Sequence, residues 1–243
     1  MKALILAGGR GRRLNEISEQ HNKCMLPLCG APVIERSLRN AVAAGVTEIV
    51  LVVGYKGEAI INAYGNVYAG LPIRYVIQSE QRGLVHAIEC SRDALGDSDF
   101  CLSLGDEIMS GARHAEMVSR FGSADLFGIC GTVMVQDPTR IGKTYAIFQD
   151  GAGRIYRLIE KPRKPPNHVM GTGNCLFRNG LLDYIDLTPI NQSRGERELP
   201  DLIQCAIDDG HVVRSFEICD EYFNLNSEAD LREAETRLQQ LGE

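Results

Sequence analysis

Residues 1–14 read MKALILAGGRGRRL. Ala3 to Ala7 is an unbroken apolar run of strand length, with no polar position to face water. It predicts a strand buried on both faces of a parallel sheet. Three glycines follow, Gly8, Gly9 and Gly11. Directly after a buried strand they let the backbone approach a ligand closely, with N–H groups free to cradle phosphate. Arg10, Arg12 and Arg13 set three guanidinium groups beside that loop, the charge-assisted donors a triphosphate requires. Two familiar loops do not fit. A Walker A loop needs four residues between a Gly and a Gly-Lys pair, and the chain has no such string. The dinucleotide fingerprint G-x-G-x-x-G needs Gly where Leu14 stands.

Outward from this strand the buried-strand signal recurs at Glu48 to Val53, Ile73 to Ile77 and Phe100 to Leu104. Pro32 to Ala44 spaces Val33, Ile34, Leu38, Val42 and Ala43 as one helical face, with Pro32 suited to a first turn and Gly45 to a stop. Gly83 to Ala94 and His114 to Phe121 predict further helices. Such alternation implies parallel strands joined by right-handed crossovers. The rhythm then changes. Leu126 to Val135, Tyr145 to Gln149, Arg154 to Ile159 and Val169 to Phe177 are strand candidates with short turns, DGAG at 150–153 marking a hairpin. Asp201 to Asp209 and Glu228 to Leu241 return to helix. Ser227 with Asp230 resembles a capping box, and Leu231, Ala234, Leu238 and Leu241 form one stripe. The expectation is a single α/β domain over residues 1–243: a three-layer α/β/α, Rossmann-like fold around a mixed, mainly parallel sheet. The half that carries the phosphate-cradling loop would bind nucleotide and span about 1–110; the second half would span about 111–243.

At 243 residues such a domain buries about 70–75% of its unfolded surface and needs no disulfide or structural metal. A net charge of -6 argues against general nucleic-acid binding, which relies on clustered Lys and Arg. The eight cysteines form no C-x-x-C pair. Several, such as Cys101 in FCLSL and Cys130 in FGICGTV, lie in apolar runs and read as buried hydrophobes. Free thiols suit a reducing compartment. The N-terminus carries no secretory pattern, and no apolar stretch approaches the roughly 18 residues of a membrane span. The expectation is a cytoplasmic, soluble chain with no nucleic-acid or membrane partner. Homo-oligomerisation is left open.

The glycine loop runs on to Lys23, Met25, Leu26 and Pro27, and the whole stretch resembles the sugar-1-phosphate nucleotidyltransferase family. Its signature is L-A-G-G-x-G-x-R-L, followed by K-x-x-L-P; Arg13, Leu14, Lys23, Leu26 and Pro27 fall on it without a gap. Glu16 and Asn22 stand where the family commonly has Pro. The resemblance makes Arg13, Lys23 and Asp106 the catalytic residues. It assigns the nucleotide to Leu6, Ala7, Gly8, Gly9, Gly11, Arg12, Gln78 and Gly83. QSEQRGLVHA, residues 78–87, resembles the base-reading segment, and the Gln78 amide offers donor and acceptor to a pyrimidine edge.

Asp106 follows FCLSLG, at the carboxyl end of a buried strand, where α/β sheets bind ligands. It matches the family's L-G-D metal aspartate. The second ligand is expected at Asn224 in YFNLNSEADL, with Asn226 as the rival assignment. One carboxylate and one amide suit Mg²⁺, which takes few protein ligands and shares substrate phosphate oxygens. Glu160 and Lys161 in LIEKP match the motif whose acid holds a sugar hydroxyl and whose Lys holds the sugar phosphate. Gly173 and Asn174 in GTGN, with Tyr145, complete the sugar-phosphate set. Ala146 replaces a common Gly, and Ile141-Gly142-Lys143 is an insertion the family pattern does not supply.

The resemblance implies transfer of a nucleoside monophosphate from an NTP to a sugar-1-phosphate, with release of pyrophosphate and help from Mg²⁺. UTP or dTTP is favoured by the Gln78 segment; GTP and CTP stay open. The rivals are a cytidylyl- or guanylyltransferase for a non-sugar phosphate or phosphonate, a nucleotide-sugar sensor without turnover, and a glycosyltransferase. The last needs a D-x-D metal motif at a strand's carboxyl end, but Asp97-Ser98-Asp99 precedes its strand.

Overall fold

The computed structural model describes residues 1–9, 21–123 and 125–242. Gly11, Arg12 and Arg13 lie outside them, as do Arg10 and Glu16. Among the described residues one sheet holds ten strands. Its principal members are β1 (Lys2–Ala7), β2 (Ile49–Val53), β3 (Leu71–Ile77) and β4 (Phe100–Leu104). A four-residue strand, β5 (Glu107–Ser110), stands apart from that sheet. The second half adds β6 (Gly128–Met134), β7 (Tyr145–Gln149), β8 (Ile155–Glu160), β9 (Val169–Phe177) and β10 (Val213–Glu217). From one edge the order is Val67–Tyr68, β3, β2, β1, β4, β9, β7, β8, with β6 on β9 and β10 on β6. β1 to β4 are parallel, whereas β9 runs antiparallel to β4, β6 and β7. The mixed sheet is as expected.

Alternation along β1 explains the three layers. Ala3, Ile5 and Ala7 join the core on one face, with Ile34 and Leu38 of α1 (Ile34–Ala43). Leu4 and Leu6 join the other, with Val85 and Ile88 of the helix at Leu84–Cys90 and Leu202 and Ile203 of the helix at Leu199–Asp208. Both strand faces are therefore dry, each fully buried Leu or Ile contributing about 1.5–3 kcal/mol relative to exposure. A third cluster seats the helix Glu228–Leu241 through Ala234 and Leu238 against Leu26, Ile108 and Leu225. The Ser227 hydroxyl caps that helix by accepting from the Asp230 N–H at 3.2 Å.

Helix boundaries differ from the sequence expectation at several ends, and two of the differences have a local cause. Pro32 is not in α1 but in a two-residue strand that pairs Pro27↔Pro32 and Leu28↔Ala31. The helix expected over 83–94 is divided at Ser91, whose hydroxyl donates back to the Ala87 carbonyl at 2.9 Å. Such back-bonding competes with the helical ladder. The DGAG turn forms as expected, the Gly153 N–H donating to the Asp150 carbonyl at 3.0 Å with Gly153 at φ +77°.

Candidate active site

β1, β2 and β4 deliver their carboxyl ends to one rim of the sheet. Gly8 follows β1 there. A Cβ on Gly8 would stand 2.8 Å from Gln78 Oε1, and one on Gly54 would stand 2.6 Å from the Gly8 carbonyl oxygen. These glycines permit the loops after β1, β2 and β3 to touch. The Gln78 amide orientation is fixed by its partners: Nε2 donates to the Gly83 carbonyl at 3.1 Å and lies 3.1 Å from His86 Nδ1. Oε1 has no hydrogen-bond partner among the described residues, and Gln78 lines a cavity of about 300 Å³. Leu6, Ala7, Gly8, Gly9, Gly83, Lys23 and Asp106 line the same cavity. Seven of its lining residues were thus assigned to the nucleotide or to catalysis from sequence, besides Gln78 itself. Gly83 opens its helix at φ +94°, and Glu196 stands against it: a Cβ there would meet Glu196 Oε2 at 2.8 Å.

Lys23 rides on a 3₁₀ turn, Lys23–Met25, capped by Asn22. Its ammonium forms an ion pair with Asp106 Oδ2. Burial is the largest single influence and depresses the Lys23 pKa, but the Asp106 charge and hydrogen bond, with Cys24 and Glu107, together outweigh it, so Lys23 lies above the ordinary lysine value. Lys23 is held charged.

Asp106 emerges just after β4, as expected. The chain then enters β5, which pairs antiparallel with β11 (Glu221–Asn224) in the register Glu107↔Asn224. The Leu225 N–H donates to the Asp106 carbonyl at 3.1 Å. Asn224 is brought beside Asp106 by this ribbon, and both line a second cavity of about 240 Å³. Asn226 lines it too, its Nδ2 3.2 Å from Asn224 Oδ1. One carboxylate and one amide lining the same cavity fit a small hard cation with few protein ligands.

The second cavity also carries most of the expected sugar-phosphate residues. The hairpin pairs Tyr145 with Glu160 in register, and the Lys161 N–H donates to the Thr144 carbonyl at 2.7 Å. Lys161 Nζ meets Glu160 Oε1 at 2.6 Å. Glu160 is raised above the usual carboxylate range by burial, an effect that Lys161 partly reverses. The cavity floor comes from a fork in the sheet. β7 pairs β9 at Met170 and Gly171, while β4 pairs it at Cys175 to Phe177. The two strands part around 172–174, and Thr172 and Gly173 line the opening.

Three assigned residues take less direct positions. The Tyr145 hydroxyl donates to the Thr172 carbonyl at 2.8 Å, and the ring fills the space a Gly171 side chain would need. Gly173 is required by Leu104 Cγ, 2.3 Å from where its Cβ would lie. Asn174 lies beneath the floor and does not line the cavity. Its Nδ2 donates to Glu107 Oε2 at 2.6 Å, and its Oδ1 accepts from Ser103 Oγ at 2.9 Å and from His114 Nε2 at 2.8 Å.

Glu107 was not singled out from sequence. It accepts from the Gly173 N–H, Asn174 Nδ2 and the Tyr222 hydroxyl, so it ties β9 and β11 to the segment that carries Asp106. Burial pushes its carboxyl up to about 7; the Tyr222 hydrogen bond opposes this and the Asp106 charge adds to it. The only advance signal was its place after Asp106. Asp99, of the rejected D-x-D string, is occupied by Arg178 Nη1 at 2.7 Å and the Asn179 N–H at 3.0 Å.

The two cavities share Leu84, Leu104, Asp106 and Glu196. A glycine-loop cavity and a Glu-Lys cavity therefore meet at two carboxylates, Asp106 and Glu196. A family model for nucleotidyl transferases matches residues 2–224.

This chain belongs to the nucleotidyl transferase family. It is 35% identical over 218 residues to a low-salt glycan biosynthesis nucleotidyltransferase of Haloferax volcanii, covering 88% of this chain and 59% of that protein. It is 34% identical over 243 residues to a UTP–glucose-1-phosphate uridylyltransferase of the same organism, covering 99% of this chain and 97% of the relative. The solved UDP-glucose pyrophosphorylase from Acinetobacter baumanii shares the fold at a TM-score of 0.83, with 20% identity over 99% of this chain and 97% of that one. Family and fold class stand as the sequence implied. The described residues include no helix long and apolar enough to cross a membrane.

Proposed function

We propose that the chain joins the nucleoside monophosphate of an NTP to a sugar-1-phosphate and releases pyrophosphate. The observation that carries this reading is Asp106, shared by the cavity of Gly8 and Gln78 and the cavity of Glu160 and Lys161. An acceptor phosphate oxygen attacks the α-phosphorus in line. The new P–O bond forms as the bond to the β-phosphate oxygen breaks, and the electron pair leaves on pyrophosphate. The attacking group is already an anion, so no general base is needed and catalysis reduces to positioning and charge neutralisation.

The N–H groups of the glycine loop, with Arg12 and Arg13, hold the β- and γ-phosphates. Lys23 neutralises charge that develops at the α-phosphate. Lys161 seats the acceptor phosphate, and Glu160 accepts from a sugar hydroxyl. Tyr145, Gly173 and Asn174 shape and brace that subsite rather than hydrogen-bond the sugar through their side chains. Asp106 and Asn224 supply oxygen donors for Mg²⁺, which when bound neutralises phosphate charge. Gln78 Oε1, which has no partner among the described residues, accepts from the N3–H of uracil or thymine, which supports UTP or dTTP as the donor. Free thiols at all eight cysteines agree with a cytoplasmic setting.

A pyrophosphate-release screen of UTP, dTTP, CTP, GTP and ATP against a panel of sugar-1-phosphates tests the reading. Turnover with one uracil or thymine nucleotide and one sugar-1-phosphate is expected. Nucleotide binding without turnover of any pair would overturn it.

A further inference from the structure

Asn22 is 1% exposed, and its side chain makes three hydrogen bonds in three directions. Nδ2 donates to the Ala7 carbonyl at 3.2 Å and to the Tyr55 carbonyl at 2.8 Å. Oδ1 accepts from the Cys24 N–H at 2.9 Å. The first contact lies at the end of β1, where the glycine loop departs, and the second lies just past β2. The third caps the 3₁₀ turn that carries Lys23. One amide thus ties together the exit of the phosphate loop, the neighbouring strand end and the turn bearing the ammonium that meets Asp106.

We infer that Asn22 is a positioning residue for phosphoryl transfer, fixing the Lys23 ammonium against Asp106 by locking its turn to the ends of β1 and β2. The inference rests on Lys23 acting in transfer, as proposed above. The geometry explains why a side-chain clamp is needed. A three-residue 3₁₀ turn has poor intrinsic hydrogen-bond geometry, and two backbone bonds close this one, Met25 N–H to the Asn22 carbonyl at 2.9 Å and Leu26 N–H to the Lys23 carbonyl at 3.3 Å. Lys is flexible on a four-carbon stem, so the site of its Cα decides where its charge can reach. Asn22 itself sits at φ −67°, ψ 131°. A proline adopts the same backbone there but supplies none of the three hydrogen bonds.

The test uses the full chain and four variants: Asn22→Ala, Asn22→Pro, Lys23→Ala and the double variant Asn22→Ala/Lys23→Ala. Hydrogen–deuterium exchange needs no substrate. Asn22→Ala should speed exchange across residues 23–26 while β2 and β4 stay protected. With a turnover pair, Asn22→Ala should lower kcat about tenfold or more, a size expected for small misplacement of a reacting group, and move the NTP KM by no more than about threefold. Asn22→Pro, which keeps the backbone angle, should fall between wild type and Asn22→Ala and guards against simple misfolding. In the Lys23→Ala background the Asn22 substitution should change kcat less than about twofold, because the group it positions is gone. Unchanged exchange over 23–26, or an Asn22 effect undiminished without Lys23, would overturn the inference. A wild type that turns over no pair would overturn the functional reading instead, leaving the exchange result to decide on Asn22.

Discussion

The Leu225 N–H reaches across to the Asp106 carbonyl at 3.1 Å, closing the β5–β11 ribbon at the rim of the sheet. Neither residue's side chain takes part in that bond. Its effect is to bring Asn224, from late in the chain, onto the wall that Asp106 occupies, so that the proposed cation site is made by a backbone ladder and not by sequence proximity.

If that wall holds a divalent cation, Asp106→Ala should fold and lose on the order of a hundredfold or more in kcat, as for removal of a key electrostatic group. Asn224→Ala should lose less and be partly rescued by raised Mg²⁺, since the carboxylate remains. Chelation should abolish turnover in the wild type. Mg²⁺ titrations of kcat for the three proteins check this; near-wild-type turnover by Asp106→Ala would remove Asp106 from the assignment.

Lys161 and Glu160 are expected to serve the acceptor. Both line the cavity whose described lining includes neither Gly8 nor Gly9. Lys161→Ala should therefore raise KM for the sugar phosphate while leaving NTP affinity within about a few fold, the pattern of lost ground-state binding. Calorimetric titration with NTP alone separates the cases: a large loss of NTP affinity would mean that the halves are reversed.

Gly83 offers a test of the base-reading segment. At φ +94° and ψ 179°, a region essentially confined to glycine, an added Cβ costs about 1–3 kcal/mol of backbone strain, and the Glu196 carboxylate occupies its place. Gly83→Ala should lower the melting temperature and weaken NTP binding, because the Gly83 carbonyl holds Gln78 Nε2. Adding Glu196→Ala should relieve the contact but not the strained φ, so thermal melts should show incomplete recovery.

The structural weight of Glu107 is measurable without substrate. Glu107→Ala strands the Gly173 N–H, Asn174 Nδ2 and the Tyr222 hydroxyl in a buried setting, and should destabilise the fold by about 3 kcal/mol or more. Tyr222→Phe removes one donor and should cost about 1–2 kcal/mol. Urea denaturation gives both values; equal and small losses would mean that the network carries little stability.

These tests divide along what the chain states openly. β1 and β2 are apolar on both faces and β4 is broken only by Ser103, and short apolar runs bounded by glycine or turn residues read as strands buried on both sides; their carboxyl ends then locate Gly8 and Asp106. The ribbon of β5 and β11 was not legible, because EIMS and EYFN are four residues each with polar ends and find each other only through tertiary pairing. The orientation of Asn174 was hidden for a different reason. A register shift between Gly171 and Cys175 breaks the alternation that would say which side chains face the cavity. At Asn22 the sequence shows that the family's common proline is missing, but not that an amide replaces its rigidity with three hydrogen bonds.

Lys23 carries the sharpest kinetic prediction. Its ammonium is already charged and directed at Asp106 in the free protein, so its cost of ordering is met before substrate arrives. Charge on the transferring group grows as the bond to pyrophosphate breaks, and a fixed cation gains most at that point. Lys23→Ala should therefore lower kcat more than it weakens ground-state NTP binding. It also leaves the Asp106 carboxylate, 8% exposed, without its ion-pair partner, so a modest loss of stability should accompany the kinetic effect. Arg13, outside the described residues, should behave otherwise. The β- and γ-phosphates bear their charge before reaction begins, so Arg13→Ala should harm NTP affinity as well as kcat, and Arg13→Lys should rescue only in part, lacking the bidentate fork. The measurements are kcat, KM and NTP affinity for Lys23→Ala, Arg13→Ala and Arg13→Lys. A Lys23→Ala protein with weakened affinity but intact kcat would show that the ion pair with Asp106 serves binding and the fold, not transfer.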